Sequence, residues 1–180
     1  NIFFKEKDEK ILKEVYTRNQ TMVKLIRDIR EFEQFMSSNS EMNVFKLSDI
    51  INEIRPNFDV DIILKKNCSF LAIKSVRSVF DNILDNAVKH GKATEIVIES
   101  EIVRNDCEIR ISNNGNNIPE KIVSRIFNEG FKHGKTANTG MGLSIVKRIM
   151  GQSKGSVSVQ KIQPQGVVFI LQFKKFVINK

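Results

Sequence analysis

Four short stretches of this 180-residue chain carry residue types whose spacing could do chemistry. In the first, Asn82 to His90, residues Asn82, Asn86 and Lys89 are spaced 4 and 3 apart. On a helix that spacing places the three side chains on one face, opposite the apolar face of Val76, Val79, Phe80, Ile83, Leu84, Ala87 and Val88. Amide oxygens are hard donors suited to Mg2+, and a lysine beside them suits a phosphate; a solvated polar face is the plainer explanation. The second stretch, Ile109 to Pro119, runs from a strand into a turn rich in Asn and Gly. Such residues tolerate left-handed backbone and let a flat ligand come close, although any strand-to-helix turn can look this way. The third, Asn128 to Thr139, holds Gly130, Lys132, His133, Gly134 and Lys135 and suits a mobile cover for a ligand; a basic loop without a role is the alternative. The fourth is Gly140-Met141-Gly142-Leu143-Ser144-Ile145-Val146-Lys147. Glycines before a helix expose N–H groups at its positive end, which suits an anion, and a structural cap would read the same. The spacing is neither a Walker loop nor a Rossmann turn.

The elements that would position these residues alternate in type. Apolar positions Ile11, Val15, Met22, Leu25, Ile29, Phe32 and Met36, with Arg18 on the same seam, step by 3 and 4 through a stretch from Lys5 to Ser37 without Gly or Pro. That is the stripe of a bundle or coiled-coil helix, ending at Ser37-Ser38-Asn39-Ser40. From Glu41 the pattern predicts a strand at 42–47, a helix capped by Ser48 and Asp49 and closed by Pro56, and strands at 60–65 and 70–73. A helix follows from Ser75 to His90 with Gly91 as its C-cap, then strands at 94–103 and 107–112 joined by a hairpin turn. Pro119 opens a short helix to Phe127, Leu143 to Met150 is helical, and 155–160 with 167–173 form a last hairpin. The fold class is α+β. We expect a two-layer α/β sandwich, a mixed sheet of about five strands with about three helices on one face, preceded by a long bundle-forming helix. The domains are 1–40 and 41–180.

Composition narrows the function. With 41% hydrophobic and 28% charged residues the chain is globular, and at this length a core needs no staple. Lys plus Arg exceeds Asp plus Glu by 29 to 21, a net charge of +8 that suits polyanions such as nucleotide phosphates. The charge is spread along the chain, and one Tyr with no Trp gives no stacking platform, so nucleic acid is not the expected partner. No apolar run approaches the roughly 18 residues of a membrane span, and the expected compartment is the cytoplasm. The chain opens with Asn1 and reads as a piece of a longer protein. Cys68 and Cys107, 39 residues apart without a CxxC, read as reduced thiols. His90 and His133 have no ligand-spaced neighbours, which excludes a His/Cys metal site.

Taken together and in this order, the four stretches resemble the ATP-binding catalytic domain of sensor histidine kinases, in the superfamily shared with gyrase, the ninety-kilodalton heat-shock chaperones and the mismatch-repair ATPases. The resemblance spans about Met42 to Phe173. Residues 79–91 are similar to the asparagine box, 111–119 to the first glycine box, Ile126 to Phe131 to the phenylalanine box, and 140–147 to the second glycine box. Met22 to Phe32 is similar to the second helix of the dimerisation and phosphotransfer hairpin. The resemblance implies ATP and Mg2+ as ligands, with Asn86 on the metal and Lys89 on a phosphate. Asn82 stands where the hydrolases of the superfamily place a glutamate base; an amide cannot take a proton from water, so hydrolysis should be slow. Asn113 stands at the family's adenine-binding Asp, with Gly115 and Ile118 beside the base. Gly140, Met141, Gly142, Leu143 and Ser144 would wrap the triphosphate. Lys132, His133, Lys135 and Thr139 would belong to the lid.

Three positions depart from the family pattern: Asn113 for its Asp, Asn117 for its second glycine, and Asn138 for the first glycine of the second box. The amide of Asn113 could still accept one hydrogen bond from the adenine amine. Losing the charge would weaken ATP binding roughly five-fold to tenfold, and Asn117 would be tolerated in left-handed backbone. No His precedes His90, so the phosphoacceptor histidine lies outside this chain and no residue of it is assigned as catalytic. The implied partners are a second copy, through the N-terminal helix, and a response regulator; a degenerate nucleotide-sensing scaffold is the alternative.

Overall fold

In a computed structural model the described residues are most of 41–131 and 140–174, together with scattered positions between 8 and 29. The chain forms two units, Asn1–Ser38 and Asn39–Lys180. In the first, the described positions from Asp8 to Ile29 are helical, and Ile11, Val15, Met22 and Ile29 of the expected stripe are exposed. Leu25, Phe32 and Met36 lie outside the described residues. Among the described residues, no helix is long and apolar enough to cross a membrane.

The second unit runs β1 (Asn43–Lys46), α1 (Leu47–Ile54), β2 (Asp61–Leu64), β3 (Ser69–Ala72), α2 (Val76–Lys89), β4 (Glu95–Val103), β5 (Asp106–Asn113), α3 (Glu120–Val123), α4 (Gly142–Gln152), β6 (Ser156–Lys161) and β7 (Val167–Lys174). A five-stranded mixed sheet has the order β2-β4-β5-β7-β6. Only the β2–β4 pair is parallel. The expected sheet is thus present, and β1 and β3 add a separate antiparallel pair, Val44 opposite Leu71.

Period decides what is buried. In β5, Cys107, Ile109, Ile111 and Asn113 alternate inward, and opposite them β7 turns Val167, Phe169, Leu171 and Phe173 to the same side. Onto this surface α2 lays Val76, Val79, Phe80, Ile83, Leu84 and Ala87, and α1 adds Leu47, Ile50, Ile51 and Ile54. Each such side chain contributes about 1.5–3 kcal/mol by leaving water. Phe70 of β3 ties the small sheet to the large one: its ring stacks on Phe173 at 4.3 Å and meets Phe45 and Phe80 at 6.4 Å.

Two local expectations are corrected. Helix α1 begins at Leu47 after Lys46, and neither Ser48 nor Asp49 caps it. Its first N–H groups are met by a loop distant in sequence: Leu47 N donates to Cys68 O at 3.0 Å and Ser48 N to Asn67 Oδ1 at 2.9 Å. Cys68 and Cys107 are not reduced thiols but a disulfide, with Cα atoms 6.8 Å apart. The stacking of Phe70 on Phe173 carries the start of β3 over β5, which no local cysteine pattern could have announced. Phe70→Ala is expected to cost about 3–5 kcal/mol, read as a lowered denaturant midpoint with an unchanged slope.

Candidate functional site

Two glycine- and asparagine-rich stretches converge on α2, one at its C-terminal end and one toward its middle. At its C-terminal end the helix stops at His90, and the left-handed residue is Lys92 (φ 54°) rather than Gly91. Gly91 turns its carbonyl oxygen toward the turn after β5, where Asn116 N donates to it at 2.6 Å. A side chain on Gly115 would overlap that same carbonyl and lie 3.1 Å from Ala93 N. Gly115 is therefore required by the close approach of two stretches of backbone. The resemblance places the same glycine beside the base.

The asparagines of that turn divide the work. Asn114 Oδ1 accepts from Thr94 N at 3.0 Å and Glu95 N at 3.1 Å, while its Nδ2 donates to Thr94 Oγ1 at 2.9 Å. Asn113, 7% exposed, accepts from Gly115 N at Oδ1, 2.9 Å away. Asn117 Oδ1 accepts from Gly166 N at 2.9 Å, pinning the β6–β7 turn. Asn117 is not among the described residues with positive φ, so the expected left-handed backbone is absent. Its side chain does the holding instead. Asn114 was given no role in the sequence, although an Asn just past a strand is a standing signal for side-chain-to-backbone bonding.

Toward its middle α2 meets α4. Asn82 was expected on an open polar face, yet it is 6% exposed and lies at the junction of the two helices. Its Nδ2 donates to Ser78 O at 2.9 Å, and its Oδ1 would sit 2.7 Å from a β-carbon placed on Gly142. Glycine at 142 is what lets the start of α4 come this near. One turn on, Asn86 is half-buried and its Nδ2 donates to Asn82 O at 2.7 Å. Lys89, about half exposed, is paired with Asp85 at 2.8 Å. The three predicted residues thus grade from core to solvent.

Helix α4 opens at Gly142 without a side-chain cap or an acidic residue in its first turn, after Gly140 in left-handed backbone (φ 71°). Ile145 N makes the first intrahelical bond, to Met141 O at 2.9 Å. The N–H groups of Gly142, Leu143 and Ser144 thus have no intrahelical acceptor, which is the geometry that receives an anion. Ser144 Oγ is turned back onto Met141 O at 2.8 Å. In the stretch similar to the phenylalanine box Ile126 is buried and Phe127 packs edge-on to Phe169 at 6.4 Å, while Arg125, just before it, covers the Phe131 ring at 5.2 Å. Lys132, His133, Lys135, Asn138 and Thr139 lie outside the described residues. Ile118 packs against the core edge and lines a separate cleft of about 310 Å3, with Val123, Val159 and Val167.

Metal chemistry can be tested on the donor set. Among the described residues no three His, Cys, Asp or Glu side chains gather as a metal site. With the Asn86 NH2 bound to Asn82 O, its Oδ1 is the hard oxygen left for a cation. One amide oxygen fits Mg2+, which keeps several waters and takes further ligands from phosphates. Elsewhere, on β4, the Lys65 hydrogen bond holds the Glu99 carboxyl below its usual range.

Comparison with known proteins gives a family and relatives. Residues 72–176 match the family model described as histidine kinase-, DNA gyrase B-, and HSP90-like ATPase. Sensor histidine kinase YvrG of Bacillus subtilis is 30% identical over 131 residues, covering 69% of this chain and 23% of its own. Sensor protein kinase WalK of Staphylococcus aureus is 26% identical over 176 residues, covering 86% of this chain and 42% of its own. The chain therefore spans less than half the length of these two relatives. The solved catalytic domain of histidine kinase ThkA superposes with a TM-score of 0.65 at 26% identity, over 75% of this chain and 96% of that one.

Two glycine substitutions separate close approach from mere helix propensity. Gly115→Ala must move backbone at Gly91 and is expected to cost about 1–3 kcal/mol and to weaken nucleotide binding. Gly151→Ala, whose β-carbon would meet nothing within 4 Å, is expected to gain up to about 1 kcal/mol. Thermal denaturation of both variants checks the opposite signs.

Proposed function

This chain belongs to the histidine kinase-, DNA gyrase B-, and HSP90-like ATPase family, and from that premise we propose that it is the part of a sensor histidine kinase that binds Mg-ATP and delivers the γ-phosphoryl to a histidine. The observation that carries the reading is the convergence on α2: Gly142 against Asn82 at one level and Asn116 on Gly91 at the other. A nucleotide laid along the helix would meet an open α4 N-terminus with its phosphates and the β5 turn with its base.

In this mechanism the chain binds and orients rather than reacts. The N–H groups of Gly142, Leu143 and Ser144 receive phosphate oxygens, and Lys89 exchanges Asp85 for a phosphate. Asn86 would hold Mg2+, which when bound supplies charge neutralisation at the phosphates. Asn82 offers no carboxylate to activate water, so the γ-phosphoryl is kept for transfer rather than spent on hydrolysis. Asn113, Gly115 and Ile118 lie toward the base, with Gly140 and Met141 toward the phosphates; Lys132, Lys135 and Thr139 would supply a lid, a reading that rests on the sequence. Transfer itself is positioning and electrostatics, and its acceptor is a histidine outside this chain, since no His precedes His90.

The partners follow from the same reading. The exposed Ile11, Val15, Met22 and Ile29 suit a bundle with a second copy, and a response regulator would take the phosphoryl onward. These assignments draw on relatives of which the chain spans less than half the length.

Calorimetric titration with ATP, with and without Mg2+, tests the site. Binding is expected to require Mg2+ and to weaken at least about tenfold in Asn86→Ala. Equal affinity in that variant would move the metal elsewhere. Addition of a polypeptide bearing the upstream helix and its histidine should then yield an acid-labile phosphohistidine. In its absence, ATP hydrolysis should be near the uncatalysed rate.

A further inference from the structure

We propose that Asn117 is a positioning residue for the nucleotide: through Gly166 of the β6–β7 turn it sets the width of the turn that carries Asn113 and Ile118, and so how firmly the site holds a base. The inference rests on the nucleotide-site reading above, in which Asn113 and Ile118 lie toward the base. What it adds is the residue that keeps those two at their spacing.

The turn after β5 is held from outside at three places. Asn114 fastens its start to Thr94 and Glu95, and Asn116 N fastens its middle to Gly91 O. Beyond Asn116, on the side of Ile118, the tie is Asn117 Oδ1, which accepts from Gly166 N at 2.9 Å. Gly166 is buried, and among the described residues no other acceptor meets its N–H. The same residue also presses on the start of the turn: a β-carbon placed on Gly166 would overlap Asn113 O. Its neighbour Val167 pairs with Asn113 in the sheet. One residue thus bridges Asn113 and Asn117. It is itself well held, because Ile162 N donates to Gly166 O at 2.9 Å and Lys161 pairs with Val167.

A buried N–H without a partner is costly. With the Asn117 oxygen removed, the two turns gain by parting far enough to admit water to Gly166 N. The glycine of the family pattern at 117 would bring no oxygen to this place. Parting draws residues 117 and 118 away from Asn113, which stays registered on β7. The start of α4, which meets α2 at Asn82, is untouched. The loss therefore falls on the base and leaves the phosphates as they are. Small errors of placement are enough, since recognition depends on groups held in register before the ligand arrives.

The experiment is equilibrium binding of Mg-ATP and of Mg-tripolyphosphate, which has the phosphates without the base, to the chain, to Asn117→Gly and to Asn117→Asp. Circular dichroism and melting temperature check that the variants fold. Asn117→Gly is expected to weaken ATP binding about five-fold to tenfold and to leave tripolyphosphate within about twofold. Asn117→Asp keeps an oxygen for the Gly166 N–H and should stay within about twofold of the unaltered chain for both ligands. A merely structural role would lower the melting temperature of Asn117→Gly without separating the two ligands. Unchanged or tighter ATP binding in Asn117→Gly overturns the proposal, as do equal losses of both ligands or equal losses in both variants. In each of these cases the nucleotide site itself stands. Failure of the unaltered chain to bind ATP overturns the site reading and this inference together. If tripolyphosphate binds too weakly to measure, the ATP affinities of the two variants decide. If Asn117→Gly does not fold, hydrogen exchange of the Gly166 N–H in the unaltered chain decides: slowing by ATP supports the proposal, and no change on ATP binding overturns it.

Discussion

The carbonyl oxygen of Gly91 is the point on which the chemistry of this domain turns. It leaves the end of α2 with no partner in its own helix and finds one in Asn116 N, 2.6 Å away across the β5 turn. Together with the bonds of Asn114 to Thr94 and Glu95, this bond fixes the distance between the helix that carries Asn86 and Lys89 and the turn that carries Asn113. It can form only because neither Gly91 nor Gly115 has a side chain: a β-carbon on Gly91 would sit 2.5 Å from Ala87 O, and one on Gly115 would overlap Gly91 itself. A buried backbone acceptor left unmade costs on the order of 1–3 kcal/mol. Two glycines are thus held in place by one hydrogen bond, and the relative position of two candidate binding groups comes with it.

The other side of α2 is set by the same kind of constraint. Asn82 could have pointed to water, as its spacing with Asn86 and Lys89 suggests, but α4 approaches at Gly142 and encloses it. Its Nδ2 bonds back to Ser78 O, which satisfies the amide without drawing on the neighbouring helix. The helix start at Gly142 is then near α2 with no side-chain cap among the described residues, so the positive end of α4 and the amides of α2 share one region. Tight packing and anion affinity arise from the same absent side chain.

How far the sequence could be read follows from the range of the interactions involved. The strands and helices of the second unit were legible because period 2 in β5 and β7 and period 3.6 in α2 are local and are enforced by one common core. The four boxes were legible as stretches, since a helix start after glycines or an Asn-rich turn after a strand is written in adjacent residues. What escaped was contact at long separation. Ser48 looked like a cap until Asn67 and the Cys68 carbonyl took the N–H groups of α1. Cys68 and Cys107 looked like separate thiols until Phe70 stacked on Phe173. Asn82 looked exposed for want of any local sign that a glycine sixty residues on would lie against it. Residues 132–139, where the lid lysines fall, lie outside the described residues, so their reading rests on sequence alone.

Asn113 and Asn117 can now be weighed as more than departures from a family pattern. Each sits where the resemblance places a residue with a different task, and decay of the site would leave such positions without consequence. Instead each side chain oxygen accepts a backbone N–H at 2.9 Å, Asn113 from Gly115 and Asn117 from Gly166. The turn is stitched more tightly to itself and to the β6–β7 hairpin than a glycine at 117 would allow. Side chains engaged in this way hold the geometry of the turn. The retained packing at Gly91, Gly115 and Gly142 is what a maintained nucleotide site needs and what a remnant of one would be free to lose.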